Sequence, residues 1–158
     1  MIDTIIDKLV EILNRELGPE SSSTNKIDSA YAQSITEMSP NKSIGVVDGQ
    51  IEPGIFEIGI NQPATWKYNN IELQLICKGT ELLARDTRRT FLSLIRQTLY
   101  NSDVRAEILA LESTIGDERE KVLKYDVIRI KTDFGKSKSQ FIYIAVFQLN
   151  FETEINIV

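Results

Sequence analysis

The last third of the chain contains two segments in which apolar and polar residues alternate. In the second segment, residues 141–151, every odd position is apolar, and this period of two is typical of a β-strand. Its even positions are apolar only as far as Val146 and polar afterwards. Together with residues 121–132, the segment predicts a long C-terminal β-hairpin. One end of this hairpin is apolar on both faces, which suggests burial against a second surface such as another copy of the protein.

A register that places Tyr125 and Val127 opposite Phe147 and Ala145 matches apolar residues with apolar residues. In this register one face of the hairpin forms the core and packs on a long helix. The residues predicted on this core face are Leu123, Tyr125, Val127, Tyr143, Ala145, Phe147, Leu149 and Phe151.

The same register predicts a second apolar face near the tip of the hairpin. It contains Ile128, Ile130, Ile142 and Ile144, together with Val146. A domain of this size has little left to cover such a face, and exposed apolar patches usually mark interaction sites. The four isoleucines are therefore predicted to form part of a subunit interface.

The remaining periodic segments predict helices and further strands. Residues 2–17 form an apolar stripe typical of an amphipathic helix, and Gly18 provides its stop. Residues 80–100 predict the longest helix, with Thr80 as the N-cap. A short helix is predicted over 103–111, capped by Ser102 or Asp103, and residues 71–77 alternate as a strand.

Short strands with turns between them are predicted in the first half of the chain. Residues 44–47 and 50–52 flank Asp48-Gly49, which favours a type I′ hairpin. Pro53-Gly54 predicts a second turn, and residues 55–60 alternate again.

Residues 19–43 are polar and lack periodicity. Two interpretations stay open for this segment: an excursion that becomes ordered against a partner, or a flexible loop. The predicted fold class is α+β, with a mixed, mainly antiparallel sheet whose C-terminal hairpin packs against a long central helix and an N-terminal helix. The whole chain, residues 1–158, is predicted to form one domain that includes the polar excursion.

Composition narrows the possible functions. The chain has 158 residues, of which 42% are hydrophobic, and a net charge of -5. This acidic balance gives no electrostatic reason to expect specific nucleic-acid binding. Because no run of about 18 apolar residues exists, no membrane span is predicted, and the charged N-terminus is not typical of a signal peptide. A single cysteine, Cys77, excludes an intramolecular disulfide and favours maturation in a reducing cytoplasm.

Few residues offer catalytic or metal-binding chemistry. The chain has no histidine, so the commonest general base and metal ligand is missing. Cys77 lies in a predicted strand and is interpreted as a core residue. The carboxylate pairs Glu118 and Glu120, and Glu152 and Glu154, are predicted to lie on a solvated surface. No catalytic, cofactor-binding or metal site is therefore predicted.

Asp133-Phe134-Gly135 matches the magnesium-binding tripeptide of protein kinases. The other kinase motifs are missing from the sequence, so we interpret the match as chance. Its Asp and Gly are predicted to form the turn of the hairpin.

Three arginines, Arg85, Arg89 and Arg96, are predicted on one side of the long helix. One interpretation is a solvated helix face whose charges pair locally with Glu81 and Asp86. A second is a contact with acidic residues of a neighbouring subunit, and a third is nucleic-acid contact. The arginines are retained as candidate interface residues.

The order of these elements resembles that of bacteriophage tail terminator proteins, also called tail completion proteins. The most similar stretch is residues 71–99, in which an alternating strand leads through Gly79 into a helix with a stripe of leucines and small residues. The ending, residues 140–151 with Phe147, Leu149 and Phe151, resembles the final strand of that family. The polar segment 19–43 departs from the family layout.

The resemblance implies a structural virion protein that forms a hexameric ring at the head-proximal end of the tail tube. Such a ring stops tube polymerisation and joins the tail to the neck. Its partners would be further copies of itself and the tail tube protein, with the sheath and head-completion proteins as further candidates. It would assemble in the host cytoplasm without a cofactor, and DNA would pass through the ring. The alternatives are another neck component or, in a different class, a small cytoplasmic ligand-binding domain or carboxylate enzyme.

Overall fold

A computed structural model of the chain describes residues 1–49, 55–58 and 64–157. Within these ranges the chain forms three helices and seven strands. In chain order they are α1 (Ile2–Leu17), β1 (Ser29–Tyr31), β2 (Lys42–Asp48), β3 (Ile55–Ile58), β4 (Ala64–Gly79), α2 (Glu81–Tyr100), α3 (Ser102–Leu109), β5 (Glu112–Ile115), β6 (Glu118–Ser137) and β7 (Gln140–Ile157).

The seven strands form one mixed sheet in the order β1-β2-β4-β7-β6-β5, and β3 pairs with β4 as well. The β1 and β2 strands run parallel, and the other neighbours run antiparallel. The predicted α+β fold class, with its mainly antiparallel sheet, long C-terminal hairpin, central helix and N-terminal helix, is therefore confirmed.

The two long helices have nearly the predicted bounds. The α1 helix spans Ile2–Leu17, and the N–H of Gly18 donates to the carbonyl of Asn14 at its end. Thr80 is the N-cap of α2, as predicted. The short helix α3 begins one residue earlier than predicted, because Asn101, and not Ser102 or Asp103, is its cap. The Asn101 side-chain oxygen accepts hydrogen bonds from two N–H groups of the first turn.

The core lies between one face of the sheet and the helices. The α2 helix packs on β4 and β7, whereas α1 packs on β1 and β2. Burying each large apolar side chain here contributes about 1.5–3 kcal/mol to stability. The fully buried contributors on the central strands are Ile71, Leu73, Leu75, Cys77, Ala145, Phe147, Leu149 and Phe151.

The C-terminal hairpin is longer than predicted, with strands of 20 and 18 residues. Ser137 pairs with Gln140, so the turn consists of two residues, Lys138 and Ser139. Lys138 has a φ of 54°, and tight hairpin turns need such a left-handed conformation. The prediction that Asp133-Phe134-Gly135 forms the turn is wrong, because these residues continue β6.

The predicted register of the hairpin is also wrong. Tyr125 pairs with Phe151 and Val127 with Leu149, four positions further along β7 than predicted. The later turn moves the pairing by five positions, and the register shift between Val127 and Arg129 takes one of them back. A second register shift lies between Val122 and Lys124, beyond these two pairs. Each inserts an extra residue into β6, as a β-bulge does.

The shifts change which residues lie in the core. Leu123, predicted on the core face, is the extra residue of the first shift and is exposed, and Val122 is buried in its place. Val127 is only partly buried against the core. The other six predicted core residues are buried: Tyr125, Tyr143, Ala145, Phe147, Leu149 and Phe151.

Residues 19–43 lie against the domain in this structure, and the two interpretations of the segment stay predictions. Its β1 strand adds to the sheet, where Ala30 is buried and Ile27 packs into the core. The Asn14 side chain of α1 exchanges two hydrogen bonds with the backbone of Ala30, at 2.8 and 2.9 Å. These contacts join residues that are far apart in the sequence, so the pattern of residues within the segment could not predict them.

Other predicted strands differ in length from the observed ones. The predicted strand 71–77 is the end of a 16-residue strand, β4, whose pairing shifts between Tyr68 and Ile71. The β5 strand, which was not predicted, follows α3. The predicted strand 44–47 lies within β2, but its hairpin partner 50–52 and the turn at 53–54 lie outside the described residues.

Candidate subunit interface

The structure divides the predicted patch of four isoleucines between the two faces of the sheet. Ile130 is opposite Phe147, whose side chain is in the core, so Ile130 lies on the helix-covered face. Ile144 is opposite Asp133 and Ile76, and Ile142 is opposite Gly135 and Lys78. These two isoleucines lie on the outer face, away from the helices. The placement of all four on one face is therefore wrong, because the register that produced it is wrong.

On the helix-covered face, the tip of β6 extends beyond the cover that α2 provides. Ile130 is 38% exposed and Phe134 is 65% exposed, although both follow the same alternation as the buried residues of β7. Ile128, the extra residue of the second shift, is 51% exposed. The Phe134 ring stacks on Tyr143 with 5.7 Å between the ring centroids. These side chains form an apolar strip at the margin of the helix layer.

Arg88 fixes α2 to the tip of the hairpin. Its Nη1 donates hydrogen bonds to the carbonyls of Asp133, at 3.0 Å, and Ile144, at 3.4 Å. Its guanidinium carbon lies 4.8 Å from the centroid of the Tyr143 ring, within the range of a cation–π interaction. Arg88 is therefore used within the subunit, unlike the three arginines of the predicted interface.

On the outer face, a groove of about 300 Å³ lies between the hairpin tip and residues 35–37. Apolar side chains contribute much of its lining, and the charged residues Glu37, Asp133 and Lys136 also line it. We call it the tip groove. Its apolar lining residues on the sheet and the adjacent loop are Ile35, Ile76, Phe134, Ile142 and Ile144.

The loop that forms one wall of the tip groove is held against the sheet by specific contacts. The Ile35 N–H donates to the Gln74 side-chain oxygen at 3.1 Å, and Lys78 donates to the carbonyls of Glu37 and Ser39. Gly45 makes this approach possible, because a Cβ at that position would lie 2.2 Å from the carbonyl oxygen of Gln33.

The predicted arginines Arg85, Arg89 and Arg96 are exposed on α2, as a solvated or interface face requires. Arg85 and Arg89 each lie 4.0 Å from Asp86. Exposed pairs at this distance contribute little stability, so local pairing does not neutralise the face. The structure separates these arginines from the tip groove, which lies on the other side of the sheet.

An exposed leucine that sequence analysis missed lies beside these arginines. Leu82 is 60% exposed and precedes Arg85 and Arg89 by three and seven positions, so the three share one face of α2. This spacing was visible in the sequence.

The outer edge of β6 is open over most of its length. The β5 strand pairs only with positions 118–121, and no other described strand pairs with that side of β6. This edge is nevertheless less able to pair with another strand, because the Val127 N–H already donates to the Tyr100 hydroxyl at 2.9 Å. Charged side chains and the two register shifts also oppose strand addition. We therefore expect side chains, and not backbone pairing, to make any contact here.

The carboxylates Glu120, Glu152 and Glu154, from the two pairs named in the sequence analysis, make contacts within the subunit. Glu152 and Glu154 pair with Lys124 and Lys121 at 3.2 and 3.3 Å. Glu120 accepts hydrogen bonds from the hydroxyls of Tyr68, at 2.7 Å, and Thr153, at 2.5 Å. Burial, and secondarily the bond to Glu120, raises the pKa of Tyr68.

Cys77 is buried in the core of the sheet, as predicted. Burial raises the pKa of its thiol to about 12, so the thiolate is scarce at neutral pH. Among residues 1–49, 55–58 and 64–157, no group of three or more Cys, Asp or Glu side chains is arranged to hold a metal ion.

No protein-family model matches this chain, and no curated protein matches it. None of the described helices is both long enough and apolar enough to cross a membrane.

Proposed function

We propose that this protein is a structural virion component, a ring-forming tail terminator that caps the tail tube and joins the tail to the neck. The proposal rests on the resemblance of residues 71–99 and 140–151 to that family. The observation that supports it best is the presence of two unlike exposed surfaces on one subunit. These are the tip groove on the outer face of the sheet and the arginine-bearing face of α2 on the other side.

Two unlike surfaces are what a closed ring needs. In a cyclic assembly of more than two copies, one side of each subunit contacts a different side of the next, and the angle between them fixes the copy number. The resemblance implies six copies. The ring would act by geometry alone: one face would match the end of the tube, the other would match the neck, and neither would admit another tube subunit.

The first test is the mass of the purified protein by light scattering over a range of protein and salt concentrations. The proposal predicts a mass of about six times 17.9 kDa. Raising the salt should reduce this mass only partly, because salt screens the charged contacts but not the apolar ones. The second test is binding of the protein to the ends of purified tail tubes, observed by electron microscopy.

Ile142→Asp/Ile144→Asp is the variant that should dissociate the ring while circular dichroism stays that of the folded protein. Ile115→Asp is its control, because Ile115 is 76% exposed and lies in β5, away from the tip groove. A folded wild-type protein that is monomeric under all conditions, and that does not bind tube ends, would disprove the proposed function. Unfolding of the double variant would show that the two isoleucines are core residues.

A further inference from the structure

The tip groove and the first turns of α2 have complementary chemistry. The groove offers an apolar lining with the acidic residues Glu37 and Asp133 beside it. The α2 helix offers an exposed leucine, Leu82, followed on the same face by two arginines. From this match we infer that the tip groove of one subunit binds the Leu82–Arg85–Arg89 face of α2 from a second copy of the chain. The inference rests on the proposed ring and identifies its subunit contact.

Leu82 provides the apolar part of the inferred contact. Its side chain is 60% exposed and lies on the side of α2 opposite the buried residues Phe91 and Ile95. The groove holds about 300 Å³, and apolar cavities of about 150 Å³ accommodate a benzene molecule, so a leucine side chain fits. Helices that bind in apolar grooves do so through residues spaced three, four and seven apart, and Leu82, Arg85 and Arg89 have this spacing.

Arg85 and Arg89 provide the charged part of the inferred contact. Their aliphatic stems extend the apolar surface beside Leu82, while their guanidinium groups reach past it to the margin of the groove. Asp133 is exposed and lies opposite Ile144 on the outer face, so its carboxylate stands beside the apolar lining. Lys136 also lines the groove, but its Nζ lies 5.2 Å from the centroid of the Phe141 ring, where a cation–π interaction holds it.

The geometry of the two surfaces favours a second copy as the occupant. Both lie at the same end of the subunit, since Gly79, which precedes α2, pairs with Phe141 near the hairpin turn. They lie on opposite faces of the sheet, so a subunit cannot fill its own groove with its own α2. Contact between copies can therefore propagate from one subunit to the next until the ring closes.

Two leucines of α2 provide a matched pair for the test. Leu83 is 61% exposed, almost the same as Leu82, but it lies on the flank that faces residues 24–26. Leu82→Asp should reduce the mass in light scattering from that of the ring to 17.9 kDa, whereas Leu83→Asp should leave the ring intact. Circular dichroism checks that both variants are folded. If both variants keep the ring, or both lose it, the inference is wrong.

A charge exchange tests the same contact independently. Arg85→Glu/Arg89→Glu and Glu37→Lys/Asp133→Lys should each raise the concentration needed for half-assembly by tenfold or more. A chain that carries all four substitutions should recover assembly, because every contact in its ring then has the opposite signs. Failure of this recovery in folded protein would overturn the inference while leaving a wild-type ring, and hence the proposed function, in place.

Two other outcomes would show whether the inference alone has failed or the proposed function has failed with it. If Leu82→Asp keeps the ring but Ile144→Asp abolishes binding to tube ends, the tip groove binds the tube protein, and the inference is wrong. If the wild-type protein is a folded monomer under all conditions and does not bind tube ends, the proposed function and the inference are wrong together.

Discussion

The two ends of the β6–β7 hairpin follow the same alternation of side chains but have different surroundings. At the base, Tyr125 stacks between Tyr100 and Phe151, and its hydroxyl donates to the Leu99 carbonyl. At the tip, Phe134 also stacks on a tyrosine, but its ring is mostly exposed. The difference arises because α2 packs on β4 and β7, whereas α3 packs on the base of β6, so the tip of β6 has no helix over it among the described residues. An alternating pattern therefore predicts which face a residue occupies, but not whether another element covers it.

The base and the tip of the hairpin differ in how much of their apolar surface the subunit itself covers. At the base, the Tyr125 and Phe151 rings are buried within the subunit. The tip keeps apolar side chains on both faces, Phe134 and Ile130 on one and Ile142 and Ile144 on the other. A second copy is the partner that we propose for the outer face.

The largest effect is expected from truncating matched phenylalanines at the two ends. Phe151→Ala removes a fully buried ring and should lower the free energy of unfolding by about 3–5 kcal/mol. Phe134→Ala removes an exposed ring and should lower it by about 1 kcal/mol or less. Urea denaturation of both variants measures the two values. Equal losses would contradict the contrast between base and tip.

A smaller effect is expected where the loop 32–41 rests on the sheet. In Gly45→Ala the new methyl group would collide with the Gln33 carbonyl, so the loop must move, at a cost of about 1–3 kcal/mol. Limited proteolysis should then cut within 32–41 earlier than in the wild-type protein. Gly135→Ala is the control, since no atom lies within 4 Å of its added methyl group. Unchanged cleavage of Gly45→Ala would show that the loop does not pack closely at this point.

The smallest effect is expected at the ion pairs that join α1 to α3. Glu107 contacts Arg15 at 2.7 Å and Lys8 at 3.2 Å, and the hydrogen bond from Arg15 is the main cause that lowers its pKa. A lowered folded-state pKa stabilises the fold above the unfolded-state pKa of about 4.3, and this stabilisation is lost as the pH falls through the folded-state value. Glu107→Gln should therefore cost under about 1 kcal/mol at pH 7, and this cost should shrink as the pH falls below the unfolded-state pKa. A cost that grows towards low pH would reverse the predicted sign.

Local patterns predicted the parts of the fold that local interactions determine. The apolar stripe of α1 and the stop at Gly18 gave a helix with the observed bounds, and Gly79-Thr80 marked the start of α2. The hairpin register could not be predicted in the same way, because the extra residues Leu123 and Ile128 follow no turn or glycine signal. The Lys138-Ser139 turn likewise lacks the Asn-Gly or Asp-Gly residues that usually indicate a two-residue turn.

The candidate interface was predicted in part for the same reason. Ile142 and Ile144 lie on an outer face, as predicted, because β7 keeps its alternation without interruption. Ile130 was assigned to the wrong face, because the register shift between Val127 and Arg129 reverses the alternation of β6. The tip groove could not be predicted at all, since one of its walls comes from residues 35–37, which reach the sheet through Gln74 and Lys78.

The most direct test of the central claim is negative-stain electron microscopy of the purified wild-type protein beside Leu82→Asp and Leu83→Asp. The account predicts closed rings with a central hole for the wild-type protein and for Leu83→Asp, and single small particles for Leu82→Asp. Single small particles in the folded wild-type protein at every concentration, with no rings at the ends of tail tubes, would contradict it.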